Sequence, residues 1–198
     1  MLPTGFTALE EKMKIQTLLL SLAALSAWTA TAQVNIPILN PRFDMDVLPC
    51  APICYEPGGI TGWIIGTNTA VNKLSTAQFP DAPSEGLYVA AIGNGSSGSI
   101  LQTLGPRVQA NMTYTLTVIL GGRADSLRFT GYAAALMAGN VPLASDDTLV
   151  PAPGTFLKDV IVYKSGANPA QLGQALQIFI RSLGTGQVDI LSVSLMAN

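Results

Sequence analysis

The chain has 198 residues, 48% hydrophobic and 11% charged, with a formal net charge of −2. That composition suits one domain with a sizeable core, and the lack of a basic run argues against nucleic acid as a partner. Histidine is absent from the sequence, which excludes Ser-His-Asp and Cys-His catalysis and zinc sites built on imidazole; acid–base chemistry falls to Asp, Glu, Tyr, Lys or Cys.

The first 32 residues read as a secretory leader. Lys12 and Lys14 precede the apolar run "IQTLLLSLAALSAW", and Ala30-Thr31-Ala32 fits a small-x-small cleavage site. The domain is therefore expected over 33–198, exported to a periplasmic or extracellular compartment, with no membrane-spanning segment. "VNIPIL" (34–39) is the first expected strand. A Pro/Gly-rich loop over 44–61 carries "CAPIC", and in an exported protein Cys50 and Cys54 are expected to form a disulfide across it. Further strands are expected at 62–66, 69–74, 86–93 and 98–105, the last two flanking "GNGSSG". That stretch matches G-x-G-x-x-G, but a strand follows it and no helix N-terminus, so it reads as a hairpin turn and not a phosphate cradle. "MTYTLTVILGGR" (112–123) alternates with period two, and strands at 128–139, 155–166, 175–184 and 187–198 complete the set. "AAALMAG" has helix propensity, but its length and flanking glycines favour a strand. Short β-rich runs between Gly, Pro, Asn and Asp clusters predict an all-β fold, a sandwich or barrel.

The order of these pieces resembles the galactose-binding-like jelly rolls of carbohydrate-binding modules: an Asn-x-x-Phe-acid start, Gly-Trp, a glycine turn into "SILQTL", a long "YTLTVILGGR" strand and a late strand with an acid. The resemblance implies a two-sheet antiparallel jelly-roll sandwich. In "NPRFDMD", Asn40, Asp44 and Asp46 supply hard oxygen donors at alternating positions, a pattern suited to calcium; the resemblance implies a structural calcium ion here, with a late-strand acid sometimes sharing it.

That late acid is Asp189. In "GQVDILSVSL", period two places it on one face with Leu191, Val193 and Leu195. A carboxylate in such a row is costly unless paired, metal-bound or protonated. Three readings stand open: a calcium ligand alongside Asp44, an ion pair with Arg181 of the preceding strand, or a protonated acid in an apolar cavity. Both faces of "GLYVAAI" are apolar, so a cavity lined by either face would hold a greasy ligand.

"AQVNIPILNPRFDMDVLP", the single Gly-Trp and the terminal "VDILSVSL" resemble, more narrowly, the Stig cyclases of stigonematalean cyanobacteria. That resemblance implies a calcium-dependent cyclase converting a geranylated isonitrile indole by Cope rearrangement, ring closure and aromatic C–C bond formation into hapalindole- or fischerindole-type alkaloids. It implies Asp189 as the acid, with Trp63 and Tyr88 lining the pocket; Ile119, from the 112–123 strand, is expected to contribute. The partner implied is a small hydrophobic indole-terpenoid substrate, and apolar outer sheet faces lead us to expect a homodimer. The contrasting reading is an exported, non-catalytic carbohydrate-binding module.

Overall fold

The computed structural model describes residues 32–46, 48, 54–81 and 88–198. Of the leader assigned to 1–32, only Ala32 falls within them, and Cys50, one half of the expected disulfide, lies outside. Residues Gln33–Asn198 form one compact unit. Its strands are β1 Val34–Ile36, β2 Cys54–Pro57, β3 Ile64–Ile65, β4 Thr69–Lys73, β5 Tyr88–Ile92, β6 Ser99–Arg107, β7 Thr113–Gly122, β8 Tyr132–Ala138, β9 Val141–Asp146, β10 Thr155–Lys164, β11 Ala175–Ser182 and β12 Val188–Ala197. No α-helix occurs among the described residues.

Two antiparallel sheets form the sandwich. One runs β10-β7-β12-β5-β4-β2, with β1 also on β12; the other runs β3-β6-β11-β8-β9. The alternation in β7 does what the sequence pattern predicts: Tyr114, Leu116, Val118 and Leu120 are buried in the seam between sheets, and the threonines face away. Ile178 and Ile180 of β11, Ala134 and Leu136 of β8 and Ile100 of β6 meet them from the other sheet. Burial of these aliphatic side chains is the main driving force for the fold.

Three details differ from expectation. β2 and β9 carry weak strand signals, "CYEP" and "VPLASD", and both form by pairing with stronger neighbours, β4 and β8. The glycine turn after β5 does not close a hairpin, because β5 and β6 belong to different sheets. It is a crossing, and Gly93 makes it possible: its φ is +89°, and a Cβ there would lie 2.5 Å from the Gly186 carbonyl oxygen and the Ser182 hydroxyl. Third, the register of β12 against β7 shifts between Ile190 and Ser192, a β-bulge at Leu191.

Candidate active site

The bulge decides where Asp189 points. Val188 and Ile190 pack in the seam, and so do Val193, Leu195 and Ala197. Without an extra residue those two groups would fall on opposite faces. Leu191 absorbs the offset and packs outside the seam with Leu74, Phe79, Val89 and Phe156. Asp189 therefore shares its face with Leu191 and not with Val193 or Leu195, which corrects the row read from period two alone.

Residues directly opposite across an antiparallel ladder share a face, so the register gives Asp189's neighbours: Phe156, Gly121, Asp189, Ala91 and Ala70 in one row across the sheet. The positions nearest the acid are small. A cavity of about 630 Å³ opens on this face, with Ala70, Ala91, Asn72, Gln78, Arg123 and Gln187 among its lining, a volume suited to a small molecule. On the other side Phe79 and Phe156 stack with ring centres 4.4 Å apart. They lie so close to Gly121 that a Cβ there would come within 2.6 Å of the Phe156 ring and 2.9 Å of the Phe79 ring. Asp189 is fully buried between these rings and the cavity lining; it does not itself line the cavity, but its neighbours Ala91 and Gln187 do.

Its chemistry follows from those surroundings. Oδ1 accepts a hydrogen bond from Gln187 Nε2 at 2.6 Å, and Oδ2 has no partner among the described residues. Burial pushes the carboxyl's pKa from 3.8 up to about 7; the Gln187 hydrogen bond and the Arg123 charge pull the other way, and Asp125 adds to the rise. The group can thus hold a proton near neutrality and release it to a stronger base. Arg181 does not reach it: that arginine lies on β11, in the other sheet, paired with Ser99 and Ala133. The nearby cation is Arg123, whose guanidinium is held in a bidentate pair by Asp125.

The other expected site residues divide. Ile119 lies on β7 two residues from Gly121, on the face of Asp189. Trp63 and Tyr88 do not: both pack against the seam cluster. Trp63 is buried 5.7 Å from the Phe43 ring and donates its indole N–H to the Asn40 carbonyl at 3.2 Å, a structural role. Tyr88 shares the seam face of β5 with Ala90 and Ile92, whereas Val89 and Ala91 face the cavity side. Nor is the cavity greasy as expected. Asn68, Asn72, Gln78, Asn94, Arg123 and Gln187 line it alongside Ile65, Ala70, Ala91 and Leu127. Period two could have found Gln187, two residues before Asp189. Phe79 and Gln78 come from the turn after β4, and no local pattern ties them to the site.

In the 40–46 segment, Asn40 Nδ2 donates to Asp46 Oδ2 at 2.9 Å and to the Thr61 carbonyl at 3.2 Å. Asp46 also accepts from the Thr61 amide at 3.0 Å and the Thr61 hydroxyl at 2.6 Å. Asp44 stands apart, exposed, 3.7 Å from Arg42. Among the described residues no group of three or more His, Cys, Asp or Glu is placed to share a metal ion. A second buried acid, Asp159, accepts from the Tyr132 hydroxyl at 2.9 Å in the seam, opposite Val118 of β7; burial raises its pKa.

Fold and site together define a jelly-roll sandwich with an acid buried beneath a cavity on the sheet face away from the seam. The sequence matches the family model of the HpiC1-like cyclases (HpiC1 cyclase) over residues 11–196, and the chain belongs to that family. Among solved structures, a Stig cyclase from Fischerella sp. TAU, in complex with (3Z)-3-(1-methyl-2-pyrrolidinylidene)-3H-indole, is 25% identical with a TM-score of 0.75, covering 84% of this chain and 98% of that one. A cyclase from the same organism in complex with 4-(1H-indol-3-yl)butan-2-one is 26% identical with a TM-score of 0.73, over 83% and 98%. A carbohydrate-binding module in complex with β-1,4-galactotriose, 14% identical with a TM-score of 0.53 over 82% and 97%, shares the fold. The comparison with curated proteins gave no match.

Proposed function

We propose that the chain is a cyclase acting on a small indole-terpenoid substrate, a geranylated isonitrile indole, through Cope rearrangement, ring closure and aromatic C–C bond formation to hapalindole- or fischerindole-type products, with Asp189 as the acid. The observation that carries this reading is the fully buried Asp189 carboxyl, with one oxygen unpartnered and with its neighbours Gln187 and Ala91 lining the cavity; family membership and the indole ligands of the Fischerella structures agree with it. The protonated carboxyl gives its proton to the substrate and is left as carboxylate. When the ring-closed cation sheds a proton from carbon, the carboxylate takes it back, so the reaction is an isomerisation that consumes no co-reactant. The cavity folds the chain toward a reactive conformer, and the buried setting keeps water from the cation. In Asp189→Asn, cyclisation of the geranylated isonitrile indole should fall by about 10²-fold or more, as for a lost general acid; full turnover by this variant refutes the assignment.

Calcium belongs to the proposal as a structural ion that adds folded-state stability. Its holders would be the Asp46 carboxylate, the Thr61 carbonyl and the side-chain oxygen of Asn40, all hard donors. Asn40 would have to turn its amide, whose nitrogen now faces the other two, and Asp44 falls outside the set. Export through the 1–32 leader and a homodimer complete the reading, the latter supported by exposed Val160 and Val162 on β10, at one edge of its sheet.

The polar side chains lining the cavity and the exposed ring of Tyr55 favour a second reading, a non-catalytic module that binds a carbohydrate. Calorimetric titration with oligosaccharides separates the two: saturable sugar binding together with no turnover of the indole substrate supports the module.

A further inference from the structure

Arg123 and Gln187 of the cavity lining belong to a connected chain of groups that ends on Asp189. Arg123 fixes its Nε and Nη2 on Asp125, and its Nη1 donates to Gln187 Oε1 at 3.4 Å. A guanidinium only donates, so the end of the Gln187 amide turned toward it must be the oxygen. The NH2 end is then committed to Asp189, whose Oδ1 it meets at 2.6 Å. Gln187 is itself buried, 4% exposed, and its backbone N–H donates to the Arg128 carbonyl at 3.2 Å, which anchors the start of β12. The amide has little freedom to reverse.

This order bears on where the acidic proton sits. In a carboxylic acid the carbonyl oxygen is the better acceptor and the hydroxyl oxygen is the donor. An N–H aimed at Oδ1 makes Oδ1 the carbonyl. Oδ2, unpartnered, is left as the hydroxyl. We propose that Gln187, clamped by Arg123, is a positioning residue that confines the acidic proton of Asp189 to Oδ2 and steadies the carboxylate once that proton has left. In the transfer the Oδ2–H bond breaks, the proton goes to the substrate, and the electron pair stays on the carboxylate while the Gln187 N–H continues to donate to Oδ1. The proton shed at ring closure re-forms Oδ2–H. Among the described residues the charged groups acting on Asp189 are Arg123 and Asp125.

The inference rests on Asp189 being the acid, and its test reads the carboxyl directly rather than through turnover. The carboxylic-acid C=O band of the purified full chain is followed by infrared difference spectroscopy across a pH titration, with Asp189→Asn as the blank that assigns it. The wild-type band is expected to titrate near 7. Gln187→Leu removes a donor that favours the ionised form, so the midpoint should rise by about one pH unit, and the alkaline limb of the cyclisation profile, where the acid loses its proton, should move up with it. In the wild type, the Gln187 side-chain NH2 resonances should shift with the midpoint of the Asp189 band. A midpoint unchanged in Gln187→Leu, or amide resonances blind to the titration, overturns the inference. Should Gln187→Leu not fold, the wild-type amide measurement decides alone. If the titrations behave as expected and no indole substrate is turned over, the positioning stands and the cyclase reading falls; the reverse pattern leaves the cyclase and removes the role of Gln187.

Discussion

Asp189→Asn also makes a prediction about stability that does not depend on the substrate. The folded chain holds the Asp189 proton up to about 7, against an ordinary value of 3.8. Between those values the unfolded chain has released the proton and the folded chain has not, so stability falls as pH rises through the window and levels off above it. At about 1.4 kcal/mol per pH unit, a shift from 3.8 to about 7 is worth about 4 kcal/mol. This is an upper bound, because a fold that admits water to the ionised group relieves part of the cost. The substitution keeps the shape and removes the ionisation. Urea unfolding of both proteins from about pH 4 to about pH 8.5 measures the difference. Near the acid end the two should differ only by the packing and hydrogen bonding of an amide. Toward the alkaline end the variant should gain on the wild type by up to about 4 kcal/mol. A difference that stays constant with pH refutes the claim that Asp189 ionises at a cost inside the fold.

Gly121→Ala should lower stability by about 1–3 kcal/mol and disturb cyclisation, since its Cβ would press into the Phe79 and Phe156 rings beside the acid; a melting curve and turnover equal to wild type argue that the rings are free to move. Trp63→Phe should cost about 1 kcal/mol through the lost hydrogen bond to the Asn40 carbonyl, with cyclisation per folded molecule unchanged; a selective rise in KM would return Trp63 to the pocket. EDTA should lower the melting temperature and calcium, not magnesium, should restore it, with Asp46→Asn abolishing the response and Asp44→Asn keeping it. An EDTA-insensitive melting curve removes calcium from the reading.

The alternation that made Tyr114, Leu116, Val118 and Leu120 one row was plain in the sequence, and ten of the twelve strands follow from patterns of that kind. β2 and β9 were not visible because edge strands form on ladders supplied by their neighbours, which local propensity does not encode. Of the candidate site, the sequence marked a buried carboxyl, Asp189, and Ile119 on the same face of the sheet. Asp189 announced itself as a charge among aliphatic residues, but its row was misread because one bulged residue inverts everything after it. Trp63 and Tyr88 were expected in the pocket from the family resemblance, and the local pattern could not test that. Period two separates two faces without saying which is the seam, and in "GLYVAAI" both are apolar. Phe79, Phe156 and Arg123 reach the acid only through the sheet order β10-β7-β12-β5-β4, a fact of topology.

The bulge reconciles two demands on one strand. β12 is internal, paired with β7 on one side and β5 on the other, and must give the seam its aliphatic side chains along its whole length. With an unbroken period, a strand that turns Val193 and Leu195 inward would turn Asp189 inward too, into a core where nothing could take its proton. Leu191 at the bulge lets Val188 and Ile190, then Val193 and Leu195, all face the seam, while Asp189 faces the opposite side. There Gly121, Ala91 and Ala70 keep the row beside it low, so the strand that stabilises the sandwich also sets the acid behind Ala91 and Gln187 of the cavity lining. The expense falls on stability, through a carboxyl that is comfortable only when protonated. A residue that serves the fold poorly, in a strand otherwise arranged to serve it well, is what the proposed role of Asp189 as the acid would account for.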